Sequence, residues 1–166
     1  MIDQVLIARI RGEFALPLGG IHGEAHWARV RENGLRLAAQ TGADVEIVEL
    51  FAYLHDSKRE HDGWDREHGL RAAAFSSSLN GSLLTLPAAR LKLLACAIAR
   101  HTDGLTQALV TVQTCWDADR LDLGRIGVRP DPCKLCTAAA KDPAMIEWAY
   151  RRSREPGPRA GGEPLP

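Results

Sequence analysis

Between residues 23 and 153 the apolar side chains return every three or four positions, and turn-forming residues rather than alternating polarity separate one such segment from the next. That period sets apolar side chains on one face of a helix, so most of the chain is committed to helices packed on one another. In residues 23–40, Trp27, Val30, Leu35, Leu37 and Ala38 mark a first long helix. Over 44–55, Val45, Val48, Phe51 and Ala52 form a stripe, Asp44 stands where a carboxylate caps free amides, and the helix ends on the adjacent pair His55-Asp56. The polar segment SKREHDGWD reads as an exposed loop, after which Asp65 is expected to cap a helix through REHGLRAAAFSSSL. Pro87 precedes AARLKLLACAIARH, a helix that Asp103-Gly104 should stop. The stretch LTQALVTVQTCWDADRLDL reads as helix by its length, with a strand over residues 108–112 as the alternative. RIGVRPDPCKLC is turn-rich, and DPAMIEWAYRRS is a last helix with Asp142 as cap and Pro143 in its first position. The expectation is an all-α domain of about six or seven helices, with any site built between facing helices.

A chain of 166 residues accommodates one domain with a real core. Residues 1–153 are assigned to it, and residues 154–166, which lack apolar periodicity, to a flexible, disordered tail. The apolar share of 45% and charged share of 25% are ordinary for a globular protein. Basic and acidic residues balance at 21 each, so no net field draws the chain to a nucleic-acid polymer or an anionic membrane. MIDQVLIARIRGEF lacks the basic leader and long uncharged run of a secretory signal, and no apolar run approaches the roughly 20 residues of a spanning helix. With only Cys133 and Cys136 closely spaced among four cysteines, a reduced, cytoplasmic setting is expected. There is no GxxxxGKS phosphate loop; Gly19-Gly20 lies in a short loop before the first long helix.

All six histidines, His22, His26, His55, His61, His68 and His101, lie in the first two thirds of the chain, several beside acidic residues. Imidazole and carboxylate together suit borderline divalent ions. In order they read His26, His55-Asp56, His68, His101 and then Asp119 within Ala118-Asp119-Arg120-Leu121-Asp122. This H…HD…D arrangement, with Val30 four residues after His26 and the apolar FAYL before the doublet, resembles the HD superfamily of metal-dependent phosphohydrolases over about residues 20–130.

The resemblance implies an HD-type helical bundle in which His26, His55, Asp56 and Asp119 are metal ligands. It also implies that His68 and His101 are the added ligands of the two-metal branches. Asp56 is then the bridge and the pivotal catalytic residue, since two ions about 3.5 to 4 Å apart need a shared carboxylate. Asp117 is expected to hold a ligating imidazole from behind. Lys58, Arg59 and Arg120 are candidate contacts to substrate phosphate oxygens. One or two divalent ions, drawn from Mn, Fe, Ni, Co, Zn and Mg, would activate water against a small phosphorylated substrate such as a nucleotide. HDSKRE lacks the acidic pair of the alarmone-hydrolysing branch, which argues against that substrate. The leading expectation is a phosphohydrolase or phosphodiesterase; the alternatives are a di-iron oxygenase of the same superfamily and a catalytically silent binding module.

Simpler roles suit the remaining features. His22 is expected to touch a ligand or the substrate rather than the metal, and His61 to be solvated. Cys133 and Cys136 lack partners for a structural zinc site, while Cys96 and Cys115 are expected as buried thiols on apolar helix faces. Trp27, Trp116 and Trp148 belong to the core, the first two close enough to proposed ligands to wall the site. Ser76-Ser77-Ser78 carries no nucleophile signature.

Overall fold

The computed structural model describes residues 2–155, so the tail assigned to 154–166 lies, from residue 156 on, outside the described residues. Eight α-helices occur among them: α1 Gln4–Glu13, α2 Glu24–Thr41, α3 Val45–Leu54, α4 His68–Ser78, α5 Ala88–Ala99, α6 Val110–Arg120, α7 Ala138–Lys141 and α8 Pro143–Arg154. Two short 3₁₀ turns, Leu123–Ile126 and Pro132–Lys134, link α6 to α7. The fold is all-α; among the described residues there is no strand, only one isolated bridge between Asn80 and Leu84. Residues 108–112 form no strand, because Val110 already begins α6. Helix α1 goes beyond the helices expected from the sequence: Asp3 caps it by accepting from the Val5 amide, and it buries Leu6, Ile7 and Ile10. No helix of the described residues is long and apolar enough to cross a membrane.

The bundle is organised around α3. Its Ile47, Val48, Leu50, Phe51, Ala52 and Leu54 are buried, so its apolar surface runs nearly all round, as in a helix enclosed on every side. It packs against α2, α5 and α6 and touches α1 and α4. Asp44 caps it by accepting from the Ile47 amide, and His55 is its terminal cap residue, so the His55-Asp56 pair leaves the helix inside the bundle. Close approach of α2 requires Gly34, where a Cβ would stand 2.4 Å from Val48 Cγ1. At the other end of the core, a Cβ on Gly69 would stand 2.9 Å from the Ile98 carbonyl oxygen, so glycine lets the start of α4 lie against the end of α5. A smaller cluster of Leu37, Leu121, Leu135, Met145 and Ile146 seats α7 and α8 on α2.

Some local expectations are corrected. Asp65 does not cap α4: its carboxylate accepts from the Glu60 amide and from Arg71, and α4 begins without a side-chain cap. Cys96 is exposed rather than buried, because it falls on the solvent side of α5 between the buried Leu94 and Ala97. Cys115 is buried, and burial pushes its thiol well above the ordinary range. Trp27 sits edge-on to Phe14 at 5.0 Å, and the Trp116 indole donates to the Ala97 carbonyl at 3.0 Å.

Candidate metal centre

Five helices deliver one element each to a single buried point. His26 comes from α2, His55-Asp56 from the end of α3, His68 from the first residue of α4, His101 from just beyond α5, and Asp119 from α6. His26 and His55 are wholly buried, and Asp56, His68 and His101 nearly so. The two oxygens of Asp56 divide the cluster. Oδ2 faces His26 Nε2 at 3.7 Å and His55 Nε2 at 3.6 Å, and Asp119 Oδ1 closes that side at 3.4 Å from His26 and 3.8 Å from His55. Oδ1 faces His68 Nε2 at 3.1 Å and His101 Nε2 at 3.5 Å. The six residues named from the sequence as ligands therefore come together, with Asp56 between two sets of imidazoles.

The orientation of the rings is informative. His55, His68 and His101 each direct Nδ1 at a backbone carbonyl, of Phe51 at 3.1 Å, Asp65 at 2.5 Å and Ile98 at 2.7 Å, while His26 Nδ1 meets Asp122 Oδ2 at 2.6 Å. A carbonyl or carboxylate only accepts, so Nδ1 carries a proton in each ring, and each ring when neutral turns its Nε2 lone pair inward. Those lone pairs confront one another in pairs, His26 with His55 at 3.1 Å and His68 with His101 at 2.9 Å. Two acceptors at such a distance repel unless a cation lies between them. Bonds of about 2.0–2.2 Å from donor to metal would set neighbouring donors about 2.8–3.6 Å apart, and most of the spacings here fall in that range. Three overlapping groups could hold an ion: His26, His55 and Asp119; His55, Asp56 and His101; and His22, His26 and Asp56.

The electrostatics agree. Burial holds the His55 imidazole down to about 3, outweighing the attraction of Asp56 and Asp119, so this ring is neutral and available as a donor. Burial alone would raise the carboxyls of Asp56 and Asp119. The surrounding histidines overcome it and hold both well below the usual range. Burial likewise works against a charged His101, but the Asp56 carboxylate beside its Nε2 prevails and raises that ring, so with no cation bound this imidazole takes a proton at Nε2 more readily than a free one. Two buried anions among lone-pair-bearing imidazoles make a site that calls for positive charge.

The surrounding residues depart from expectation in several places. Asp122, which the sequence reading did not single out, is the residue behind His26: fully buried, it accepts from His26 and also from Arg29 Nε at 2.6 Å and Nη2 at 3.2 Å. Its place in the string Ala118–Asp122, three residues after Asp119, was the available signal. Asp117 holds no imidazole. It accepts from the amides of Cys136 and Thr137 and from the Thr137 hydroxyl, pinning the segment that contains the Cys133/Cys136 pair. His22 donates from Nδ1 to Asp56 Oδ2 at 2.8 Å. Arg59 reaches the site, its Nε donating to Asp56 Oδ1 at 3.1 Å. Lys58 turns instead to Glu13 and lies over the Phe75 ring at 4.5 Å. The Arg120 guanidinium is spent on the carbonyls of Lys134 and Leu105, both at 2.8 Å. Beside His68 a cavity of about 260 Å³ is lined by Arg59, Trp64, Arg66, Thr102 and Asp103.

No protein-family profile matches this chain, and no curated protein matches it. Among solved structures it is similar to the crystal structure of a predicted HD superfamily hydrolase from an uncultured Thermotogales bacterium. The TM-score is 0.69 at 26% sequence identity, over 89% of this chain and 84% of that one.

Proposed function

We propose that this chain, whose fold is that of the HD superfamily, is a metal-dependent phosphohydrolase acting on a nucleotide or another small phosphate ester. The observation that carries the reading is the division of Asp56 between two imidazole sets, each with its lone pairs turned inward. His26, His55 and Asp119 with Oδ2 of Asp56 would hold one ion, and His68 and His101 with Oδ1 a second. Divalent ions bound there supply Lewis acidity and lower the pKa of water toward neutrality. The carbonyls of Phe51, Asp65 and Ile98 and the carboxylate of Asp122 fix the tautomer and direction of each imidazole. His22 and Arg59 hold the two oxygens of Asp56 in a fixed plane. Arg66, exposed and without an ion-pair partner among the described residues, lines the adjoining cavity with Arg59 and offers positive charge to phosphate oxygens.

The test is to strip the protein of metal, reload it with manganese, iron, nickel, cobalt, zinc or magnesium, and measure bound ion and phosphate release from a panel of esters. Release with at least one ion, abolished in Asp56→Asn, is the expected result. Ion binding without release from any ester would refute the proposal. Oxygen consumption by the iron form alone would replace hydrolysis with oxygenase chemistry.

A further inference from the structure

The loop at 60–67 presents an aromatic side chain that the core does not use. Trp64 is 80% exposed, against 1% for Trp27 and Trp116. Its position is nevertheless tightly held, because Arg59 fastens the loop on one side by donating to the carbonyls of His61 at 3.2 Å and Gly63 at 3.1 Å. On the other side Asp65 is buried and accepts from the Glu60 amide at 3.0 Å and from Arg71 at 2.6 Å, while its own carbonyl accepts from His68 Nδ1. Both backbone neighbours of Trp64 are thus tied to residues that also organise the metal centre, Arg59 through Asp56 and Asp65 through His68.

Trp64 lines the same cavity of about 260 Å³ as His68, Arg59 and Arg66, together with Thr102 and with Asp103, whose carboxylate accepts from Arg100. Arg59 is occupied by Asp56 and the loop carbonyls, so the exposed indole stands beside one guanidinium without an ion-pair partner among the described residues, that of Arg66, and the pair matches a ligand with a flat π-face and an anionic group. The volume lies just below the roughly 300–1,000 Å³ of most ligand sites, so the cavity receives at most one nucleotide unit, with part of it left in solvent against the exposed indole. We propose that Trp64 is the stacking platform for the base of a nucleoside monophosphate whose phosphate is directed past His68 to the metal centre. The assignment rests on the phosphohydrolase reading above and deepens it. Trp64 is a specificity residue in this scheme: it touches the part of the substrate that does not react.

The test compares adenosine 5′-monophosphate with ribose 5-phosphate, which lacks the base, on manganese-loaded protein, by calorimetric binding and by phosphate release. Base stacking on an aromatic side chain is lost on truncation to alanine, so Trp64→Ala should weaken adenosine 5′-monophosphate binding by roughly five- to a hundredfold. Wild type should favour it over ribose 5-phosphate by a similar factor, a preference that collapses in Trp64→Ala and returns in Trp64→Phe. Equal binding of the two phosphates by wild type, or a preference that survives Trp64→Ala, overturns the platform even if both are hydrolysed. A Trp64-dependent preference in binding with no phosphate release from either compound leaves the platform standing and refutes the hydrolase reading instead. Failure of both compounds to bind overturns the platform.

Discussion

The Asp122→Asn substitution tests how far the metal centre depends on a residue that would not touch the metal. Asp122 accepts from His26 Nδ1 and from two nitrogens of Arg29. An amide has one accepting atom for these donors, and its NH₂ must face either the imidazole N–H or the guanidinium. If it faces the imidazole, His26 loses the partner that keeps its lone pair inward. Loss of such a partner typically costs 10–100-fold in metal affinity, about 1.4–2.7 kcal/mol. Arg29, only 13% exposed in its side chain, also loses a charged partner, so the metal-free protein should be destabilised by a further ~1–3 kcal/mol. The two effects separate by assay: competitive chelation reports affinity, and denaturant unfolding of metal-free protein reports stability. Arg29→Met retains the acceptor for His26, and should therefore lose stability with little change in affinity. If two ions bind as proposed, the affinity loss in Asp122→Asn should be confined to the one held by His26, because His68 and His101 direct their Nδ1 atoms at carbonyls and do not depend on Asp122. Wild-type affinity for both ions in Asp122→Asn would refute the idea that Asp122 positions His26.

Other outcomes follow from the same geometry. Gly69→Ala should drive α4 from the end of α5, lowering stability by about 1–3 kcal/mol and reducing the ions bound per chain, read by metal analysis of the purified protein. The metal-free protein should lose stability as the pH falls from about 6.5 toward 3. Over that window the unfolded chain protonates His55 while the folded chain, with this ring held at about 3, does not; denaturant midpoints at several pH values should show a slope that flattens in His55→Gln. Iodoacetamide should alkylate Cys96 and Cys133 and spare Cys115 until the protein unfolds, as peptide mass spectrometry would reveal. Lys58→Met should change kcat/KM by no more than about twofold, since its ammonium is engaged by Glu13 and the pair is part-exposed.

The helices and the order of the candidate ligands were legible because each has a local signature. The stripe from Val45 to Ala52 and the cap at Asp44 define α3 without reference to the rest of the chain, and the order His26, His55-Asp56, Asp119 survives any packing. What escaped was what tertiary packing decides. Lys58 and Arg120 are as close in sequence to the ligands as Arg59 is, yet helix direction sends the first to Glu13 and the second to the carbonyls before and after α6. Asp117 and Asp122 differ in role because one faces the α7 segment and the other His26, and neither sequence neighbourhood distinguishes them. Trp64 was passed over because an indole in a polar loop has no periodicity to mark it. Asp65 looked like a helix cap by position, but Arg71 offers its carboxylate a charged donor.

The six residues of the candidate centre are drawn from five helices, and no helix supplies two of them except through the His55-Asp56 pair. His26 and His55 are 29 residues apart, and His68 and His101 are 33 apart. A site with two histidines one helical turn apart can seize metal from a fragment or a half-folded chain; here an unfolded chain would first have to close several long loops, each opposed by entropy. The denatured ensemble is therefore a poor competitor for the ion, and nearly all of the binding free energy should appear as resistance to unfolding, growing with the logarithm of free ion concentration. Metal loading at this centre would then report assembly of the whole bundle, since a complete donor set exists only when α2 through α6 have all reached their places.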